Sequence, residues 1–292
     1  MKKKIILLVL VVLLLLSFVL TACSGDKTQD EEDLEHTSGE TEEREIDDKK
    51  LITVEDIKSK GKLVMGTNPD YPPFEFHAMI DGRDEIVGLD IEIAKYIADS
   101  LGVELEIRDM SFSNLLGAVS TGMVDVVLAA MYPDPEREKQ VSFSDVYYEA
   151  DIAVLIRKDD DRQYSSKEDL IGKTIAVQIG TTQENIANDI ENTDVKSLVT
   201  NSDTVMNLKT GKVDCALLEL VVAESFAKVN DDVKVVEEFV IETGFGGTAI
   251  ATQNGNEELV NTLNQLIREM KEKDLISQWF TEAEELSGKA LK

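Results

Sequence analysis

Short apolar runs alternate with amphipathic stretches along most of this chain, and the alternation occurs twice with the same spacing. The segment TGMVDVVLAA, from Thr121 to Ala130, is matched by TGKVDCALLE, from Thr210 to Glu219. Each copy lies downstream of a Gly-Lys pair that leads into an apolar run, at Gly61 and again at Gly172. A strand, helix, strand order repeated in this way predicts two α/β lobes.

Apolar spacing predicts the elements of the first half in more detail. We expect a strand at 63–65, a proline-containing loop at 68–74, a helix at 88–98, a strand at 103–107, a helix at 112–119 and a strand at 124–129. Asp134 suits the N-cap of a following helix, and Pro135 suits its first turn. Arg137 would then lie in that first turn, close to the end of a strand.

The second half repeats the plan after the chain crosses between lobes. We expect a crossing strand at 150–156, a second-lobe strand at 175–178, and a helix whose start carries Thr181 and Glu184 at the spacing of a capping box. A glycine-rich return near 242–247 precedes a strand at 248–251 and a C-terminal helix that packs on the first lobe. Two crossing strands form a hinge, and ligands of parallel sheets bind beyond the strands' carboxyl ends. A cleft between the lobes is therefore the predicted functional site.

Composition excludes several classes of partner. The 292 residues suffice for about two domains. A formal net charge of −28 opposes binding to nucleic acid, which depends on clustered Lys and Arg. The two histidines, His36 and His77, have no neighbouring Cys or His at ligand spacing, so neither a metal nor a cofactor is expected. Cys215, inside an apolar strand, is interpreted as a small buried hydrophobe.

The amino-terminal segment predicts export. Lys2, Lys3 and Lys4 precede an apolar run and the sequence LTAC, which ends at Cys23. Residues 1–22 are typical of a signal peptide, and the LTAC sequence resembles the lipobox of bacterial lipoproteins, in which the Cys is acylated. An uncleaved membrane helix is the alternative, and either reading tethers the chain to the outer face of the membrane. Residues 23–50 are acidic and polar, which predicts a disordered linker.

Five segments in order resemble one known family. They are GTNPDYPPFEF, VGLDIEIAKYIA, PDPEREKQVSFSDVYYEA, DLIGKTIAVQIGTTQE and TGKVDCALLE. Together they are similar to the polar amino-acid-binding proteins of ABC importers, solute-binding family 3, over residues 51–292. The resemblance implies a two-lobed, periplasmic-binding-protein-like (Venus flytrap) α/β fold with two hinge strands. Lobe 1 would comprise 51–150 and 244–292, and lobe 2 would comprise 151–243. A monomer would capture an amino acid between the lobes and deliver it to an ABC permease.

The same resemblance implies roles for individual residues. It assigns Arg137 to the ligand's α-carboxylate, helped by backbone groups near Thr182, and Glu219 to the α-ammonium. A guanidinium does match a carboxylate bidentately, and Glu219 is the one charge in the apolar stretch 215–223. The further contacts that the resemblance implies are Tyr71 and Phe112 as aromatic walls, and Asn68 and Gln178 beside the ligand's side chain.

Three positions depart from the family pattern. Tyr132 stands where the family commonly has Ser or Thr, and Ala130 replaces a Gly or Ser. Both line the expected pocket, so the size of the ligand stays open. Asn68 stands where binders of cationic amino acids often have Asp, which disfavours lysine or arginine.

Two other classes of function remain as alternatives. One is a cyclohexadienyl dehydratase-like enzyme on the same fold, in which Glu219 would be a general acid. The other is a sensory ectodomain, which is disfavoured because no second membrane helix or signalling segment is recognisable before Lys292. A binding protein without catalytic residues is the preferred hypothesis.

Overall fold

The computed structural model describes residues 50–290, in which helices and strands alternate. The first group is α1 (Val54–Lys60), β1 (Lys62–Thr67), β2 (Asp70–Tyr71), β3 (Glu75–Ile80), β4 (Arg83–Val87), α2 (Leu89–Leu101), β5 (Glu104–Asp109), α3 (Phe112–Ser120), β6 (Val126–Val127), α4 (Pro135–Glu138) and β7 (Val141–Phe143). The second group is β8 (Ile152–Arg157), a 3-10 helix (Lys167–Leu170), β9 (Thr174–Gln178), α5 (Thr182–Asp189), β10 (Asp194–Leu198), α6 (Asn201–Lys209), β11 (Cys215–Glu219), α7 (Leu220–Val229) and β12 (Val233–Ile241). The last group is β13 (Ala251–Gln253), α8 (Glu257–Glu272) and α9 (Leu275–Ala290).

Two five-stranded sheets define two lobes, which confirms the predicted fold. Lobe 1 is built on the sheet β5-β1-β6-β13-β7, in which β1 is parallel to β5 and β6. Lobe 2 is built on the sheet β10-β9-β11-β8-β12, in which β9 is parallel to β10 and β11. A smaller antiparallel sheet, β2-β3-β4, accompanies the first. The division of the chain at residues 150 and 243 stays a prediction.

The two crossing segments touch each other. Tyr148 and Thr248 form an isolated antiparallel bridge. Next to it, Gly247 has a φ of 143°, and a Cβ at this position would lie 2.0 Å from the carbonyl oxygen of Tyr148. Only glycine fits where two backbones approach so closely. The two crossing segments are therefore in direct backbone contact at the position of the predicted hinge.

Apolar faces of the helices cover the sheets. In α2 the residues at helical spacing, including Leu89, Ile93 and Ile97, are fully buried, and the helix ends where Gly102 adopts the left-handed conformation. In α8 the stripe from Leu259 to Met270 is buried. No helix among residues 50–290 is long and apolar enough to cross a membrane.

Some element predictions were wrong in extent. The strand expected at 124–129 is paired only at Val126–Val127, because the chain leaves the sheet before Ala130, whose φ is +45°. The strand expected at 248–251 pairs instead at Ala251–Gln253. The hairpin β3–β4 and the separate helix α9 were not predicted. Helix α9 contacts α2 and β3 of lobe 1, and its Glu284 is 3.2 Å from Lys228 of α7 in lobe 2.

Candidate functional site

A narrow cavity lies between the lobes, at the carboxyl ends of β1, β6 and β9. Lobe 1 contributes eight lining residues and lobe 2 contributes four: Asn68, Tyr71, Glu75, Phe112, Ala129, Ala130, Tyr132 and Arg137, then Gln178, Thr181, Thr182 and Gln183. The space between these walls totals about 290 Å³, but the walls lie so close together that there is room for about one water molecule. Anything larger can enter only if the walls move apart.

The structure brings eight of the nine predicted binding residues together around this cavity. They are Asn68, Tyr71, Phe112, Ala130, Tyr132, Arg137, Gln178 and Thr182. Glu219 is the exception and is described below. The predicted lipidation site Cys23 and the signal segment lie outside the described residues. Within residues 50–290, no group of His, Cys, Asp and Glu side chains is arranged to hold a metal ion.

Arg137 is a buried cation held by a short helix. Asp134 is the N-cap of α4, as predicted, and accepts hydrogen bonds from the backbone N of Glu136 and of Arg137, both at 3.0 Å. The guanidinium donates from Nη1 to the Tyr132 carbonyl at 2.8 Å and from Nη2 to the Gly180 carbonyl at 3.0 Å. Its Nε is 3.2 Å from Asp134 Oδ2. A guanidinium has five N–H donors, so two stay free of these contacts.

The Arg137 side chain is buried beside an aromatic ring. Its Cζ lies 5.5 Å from the centroid of the Phe112 ring, and the side chain is 6% exposed. Burial lowers the pKa of Arg137 from its ordinary value, and the neighbouring Asp134 carboxylate opposes that change. Because Arg137 remains charged in proteins, it presents a desolvated positive charge to the cavity.

Glu219 lies at the end of β11 and is fully buried. Its Oε2 accepts a hydrogen bond from the Tyr132 hydroxyl at 3.3 Å, and its backbone N donates to the Tyr71 hydroxyl at 3.1 Å. In the described part of the chain, Oε1 has no hydrogen-bond partner. Burial raises the pKa of Glu219 well above its ordinary value. Glu219 therefore holds a proton unless a cation is bound beside it, and only with such a cation is it stable as a carboxylate.

Glu219 and Arg137 open into different cavities. Glu219 lines a second, wider cavity of about 1140 Å³ in total beside the hinge, together with residues 148–151, 220–221, 242–244 and 246. Tyr132 separates the two, since its carbonyl holds Arg137 and its hydroxyl contacts Glu219. The two predicted charges are thus linked through one residue, by its backbone carbonyl on one side and its ring hydroxyl on the other, and Glu219 lies directly behind the wall of the first cavity.

Glu75 is a cavity residue that the sequence analysis missed. It begins β3, is 1% exposed, and its Oε2 has no partner among residues 50–290. Burial raises the pKa of Glu75 well above its ordinary value, and the nearby Asp90 raises it further. The available signal was an acid inside the apolar segment YPPFEF, which is the same kind of signal that identified Glu219.

Asp90 supports the cavity wall from behind. Its Oδ2 accepts a hydrogen bond from the Ala130 backbone N at 2.9 Å, and its Oδ1 accepts one from the Tyr147 hydroxyl at 2.7 Å. Burial raises the pKa of Asp90 to about 6. The bond to Ala130 fixes the residue that adopts a positive φ, which explains how a non-glycine residue keeps this conformation at the wall.

The lobe 2 wall is the amino end of α5. Thr181 caps the helix by accepting from the Glu184 backbone N at 3.2 Å. The predicted capping box was wrong in its second half, because the Glu184 carboxylate accepts from the Gly180 backbone N at 2.6 Å. Thr182 Oγ1 is buried and unpartnered within the described range. A helix amino end with an unused hydroxyl is a suitable partner for an anion.

Several hydrogen bonds cross from lobe to lobe at the cavity. Gln178 Nε2 donates to Asn68 Oδ1 at 2.7 Å, and Gln183 Nε2 donates to the Tyr71 hydroxyl at 3.0 Å. Together with the bond from Arg137 to Gly180, they hold the lobes closed around the cavity. The cavity wall thus carries one buried cation, Arg137, and one buried acid, Glu75, while Glu219 lies behind Tyr132.

The chain belongs to the bacterial extracellular solute-binding proteins, family 3, which it matches over residues 63–282. It is similar to the arginine-binding extracellular protein ArtP of Bacillus subtilis, with 39% identity over 234 residues, 76% of this chain and 87% of that protein. It is also similar to the crystal structure of AbpA, an amino acid ABC transporter substrate-binding protein from Streptococcus pneumoniae bound to L-arginine. That likeness has a TM-score of 0.77 and 37% identity, and covers 80% of this chain and 98% of the other.

The comparisons also bear on the enzyme alternative. An ancestral amino-acid-binding protein, AncCDT-1, a precursor of cyclohexadienyl dehydratase, matches with 31% identity and a TM-score of 0.69, over 78% of this chain and 99% of the other. This relative is itself a binding protein. The similar proteins are binding proteins of ABC transporters, so the chain is grouped with binding proteins and not with enzymes.

Proposed function

We propose that this protein binds a cationic amino acid of the arginine type between its lobes. The observation that carries the proposal is a set of three buried charged groups: Arg137 and Glu75 in the cavity wall, and Glu219 behind Tyr132, with one unpartnered oxygen on each acid. A buried charge without a partner costs several kcal/mol, roughly, in a folded protein. A ligand with one anionic and two cationic groups satisfies all three.

The proposed assignment follows from the position of each group. Arg137, with free N–H donors beside the amino end of α5, takes the α-carboxylate. Glu219 takes the α-ammonium, and Glu75 takes the cation of the side chain. Tyr71 and Phe112 flank the aliphatic part. Charge-assisted hydrogen bonds contribute about 1.5 to 3 kcal/mol each. Three charged ligand groups, each bound by one oppositely charged residue, are consistent with the roughly −8 kcal/mol of micromolar binding.

Tyr132 does not prevent the ammonium from reaching Glu219. Its hydroxyl lies 3.3 Å from Glu219 Oε2 and 3.4 Å from the Ala150 carbonyl. Both distances exceed the roughly 2.7 to 2.8 Å that is usual for an O–H···O bond, so both bonds are weak. An ammonium group can therefore replace the hydroxyl as the partner of Glu219 at small cost.

In the sequence, Asn68 was the residue that disfavoured a cationic ligand. Its Oδ1 accepts from Gln178 across the lobes, so this side chain is engaged in lobe contact. Glu75 lies in the same cavity with a carboxylate oxygen unused. Glu75, rather than residue 68, thus supplies the negative charge that a cationic side chain needs. The presence of Asn68 at position 68 is therefore compatible with a cationic ligand.

A calorimetric comparison of three ligands tests this proposal. L-arginine is expected to bind with a micromolar or tighter Kd. L-citrulline, nearly the same shape without the side-chain charge, should bind at least about 100-fold more weakly because Glu75 is left unpaired. Agmatine, which lacks the α-carboxylate, should be weakened similarly because Arg137 is left unpaired. Equal affinities for arginine and citrulline would overturn the assignment of a cationic ligand.

We further propose that the protein is a lipoprotein that presents its ligand to an ABC permease. The sequence before Cys23 and the family membership support this proposal. A linker of the length of 23–50 reaches on the order of 30 Å if flexible, which leaves the lobes free to meet a permease. In a bacterial host, Cys23→Ala is expected to release the protein from the membrane fraction and to abolish incorporation of labelled palmitate. Labelling of the Cys23→Ala variant would contradict the lipidation proposal.

A further inference from the structure

One carboxylate joins the two lobes without lining the cavity between them. Asp70 lies in β2 of lobe 1, between the cavity residues Asn68 and Tyr71. Its Oδ2 accepts a hydrogen bond from the backbone N of Asn201, and its Oδ1 accepts one from Ser202 Oγ at 2.8 Å. Both donors belong to the first turn of α6 in lobe 2. Asp70 thus caps a helix of the opposite lobe.

Helix α6 offers an unsatisfied donor at this point. The first backbone N–H groups of a helix have no partner within it, and the helix dipole places partial positive charge there. Its own N-cap, Thr200, accepts only from the Asp203 backbone N, at 3.0 Å. Asp70 takes the Asn201 N–H instead. Burial raises the pKa of Asp70, and the bonds from Ser202 and Asn201 oppose that rise, so these bonds stabilise the carboxylate.

We infer that Asp70 is a latch residue, one that stabilises the closed lobes without touching the ligand. This inference rests on the proposed function. The cavity has room for about one water molecule, so an amino acid enters or leaves only when the lobes separate. Separation breaks both bonds of Asp70 to α6. The latch therefore forms on closure and contributes to how long the ligand is retained.

A latch of this kind slows dissociation and does not speed association. Ligand association takes place while the lobes are open, when Asp70 and α6 are apart, so Asp70→Ala is not expected to lower the association rate. Dissociation requires the latch to break. Asp70→Ala is expected to raise the dissociation rate of L-arginine about tenfold, which corresponds to about 1.4 kcal/mol. A residue that only supported folding would not separate the two rates in this way.

The experiment measures release of radiolabelled L-arginine into excess unlabelled arginine, together with the association rate. Asp70→Asn, which keeps one carbonyl oxygen as acceptor, should give an intermediate dissociation rate. Ser202→Ala removes one donor and should raise the rate about two- to threefold, and adding it to Asp70→Ala should have no further effect. Asp203→Ala is the matched control, because this carboxylate lies in the same turn and is exposed. The charge of Asp203 raises the pKa of Asp70 by repulsion, so its loss should not speed the release of arginine.

The possible outcomes separate the two proposals. If wild-type protein binds arginine but Asp70→Ala and Asp203→Ala release it at equal rates, the latch is refuted and the proposed function stands. A slower association rate with unchanged dissociation in Asp70→Ala also refutes the latch. A wild-type chain that binds no arginine removes the proposed function and the latch with it.

Discussion

Arg137→Ala is expected to weaken L-arginine binding at least about 100-fold, because truncating one member of a buried, hydrogen-bonded charge pair costs about 2 to 5 kcal/mol or more. Arg137 is the cation that lines the cavity. Without it the ligand carboxylate would be buried beside Asp134, which is only 8% exposed. Calorimetric titration of the purified variant measures the loss directly.

Two further variants make this result specific. Arg137→Lys keeps the charge but loses the planar fork, so it should recover only part of the affinity. Lys139, on the same short segment, is 65% exposed and pairs with Glu136 at 2.6 Å; Lys139→Ala should bind as wild type does. Arg137→Ala should also lose its preference for arginine over agmatine, since the preference depends on the carboxylate. If Arg137→Ala retains wild-type affinity for L-arginine, the α-carboxylate of the ligand must bind to a different residue.

Glu75→Gln is expected to have two opposite effects. It should weaken arginine binding about 100-fold and reduce the difference between arginine and citrulline to a few-fold, because the amide no longer attracts a cation. It should also stabilise the ligand-free protein at neutral pH, since burial raises the pKa of Glu75 and its carboxyl must take up a proton on folding, a cost that glutamine avoids. A gain of about 2 kcal/mol corresponds to a rise in Tm of about 4 to 8 °C for a chain of this size.

The stabilisation by Glu75→Gln should depend on pH. Burial raises the pKa of Glu75, and the neighbouring acids that contribute further are Asp90, Glu219 and Asp70. The folded protein then holds a proton that the unfolded chain loses near the ordinary pKa of Glu, so the free energy of unfolding falls as pH rises above that value. The gain in Tm from Glu75→Gln should therefore be small at acidic pH and grow towards neutral pH.

Differential scanning calorimetry across this pH range checks both the size and the sign of the effect. The matched control is Glu85→Gln in the neighbouring strand β4, whose side chain is 41% exposed and 3.4 Å from Arg83. It should change neither Tm nor affinity appreciably. A lower Tm for ligand-free Glu75→Gln than for wild type would contradict the view that Glu75 is an unsatisfied acid awaiting a cation.

Local rules predicted the parts of the site that depend on neighbouring residues. Asp134 and Pro135 fix the start of α4, so the position of Arg137 beside a strand end followed from the sequence alone. The buried faces of α2 and α8 likewise follow from the helical spacing of their apolar residues. These features need only a few residues on either side, which is why periodicity and capping identified them.

Contacts that depend on how the lobes close could not be predicted in this way. Asn68 and Gln178 are 110 residues apart, and Asp70 and Ser202 are 132 apart. Glu75 stands in an apolar segment, but only the folded β3–β4 hairpin, which was not predicted, places it in the cavity wall. The position of Glu219 behind Tyr132 likewise depends on a contact between residues 87 apart in the sequence. Such contacts require three-dimensional coordinates.

A crystal structure of the protein with bound L-arginine tests the central claim most directly. The account predicts one arginine between the lobes, with its α-carboxylate within hydrogen-bond distance of the Arg137 guanidinium and its own guanidinium within that distance of Glu75. An arginine bound outside the cavity, or one that places its carboxylate away from Arg137 and its guanidinium away from Glu75, would contradict it.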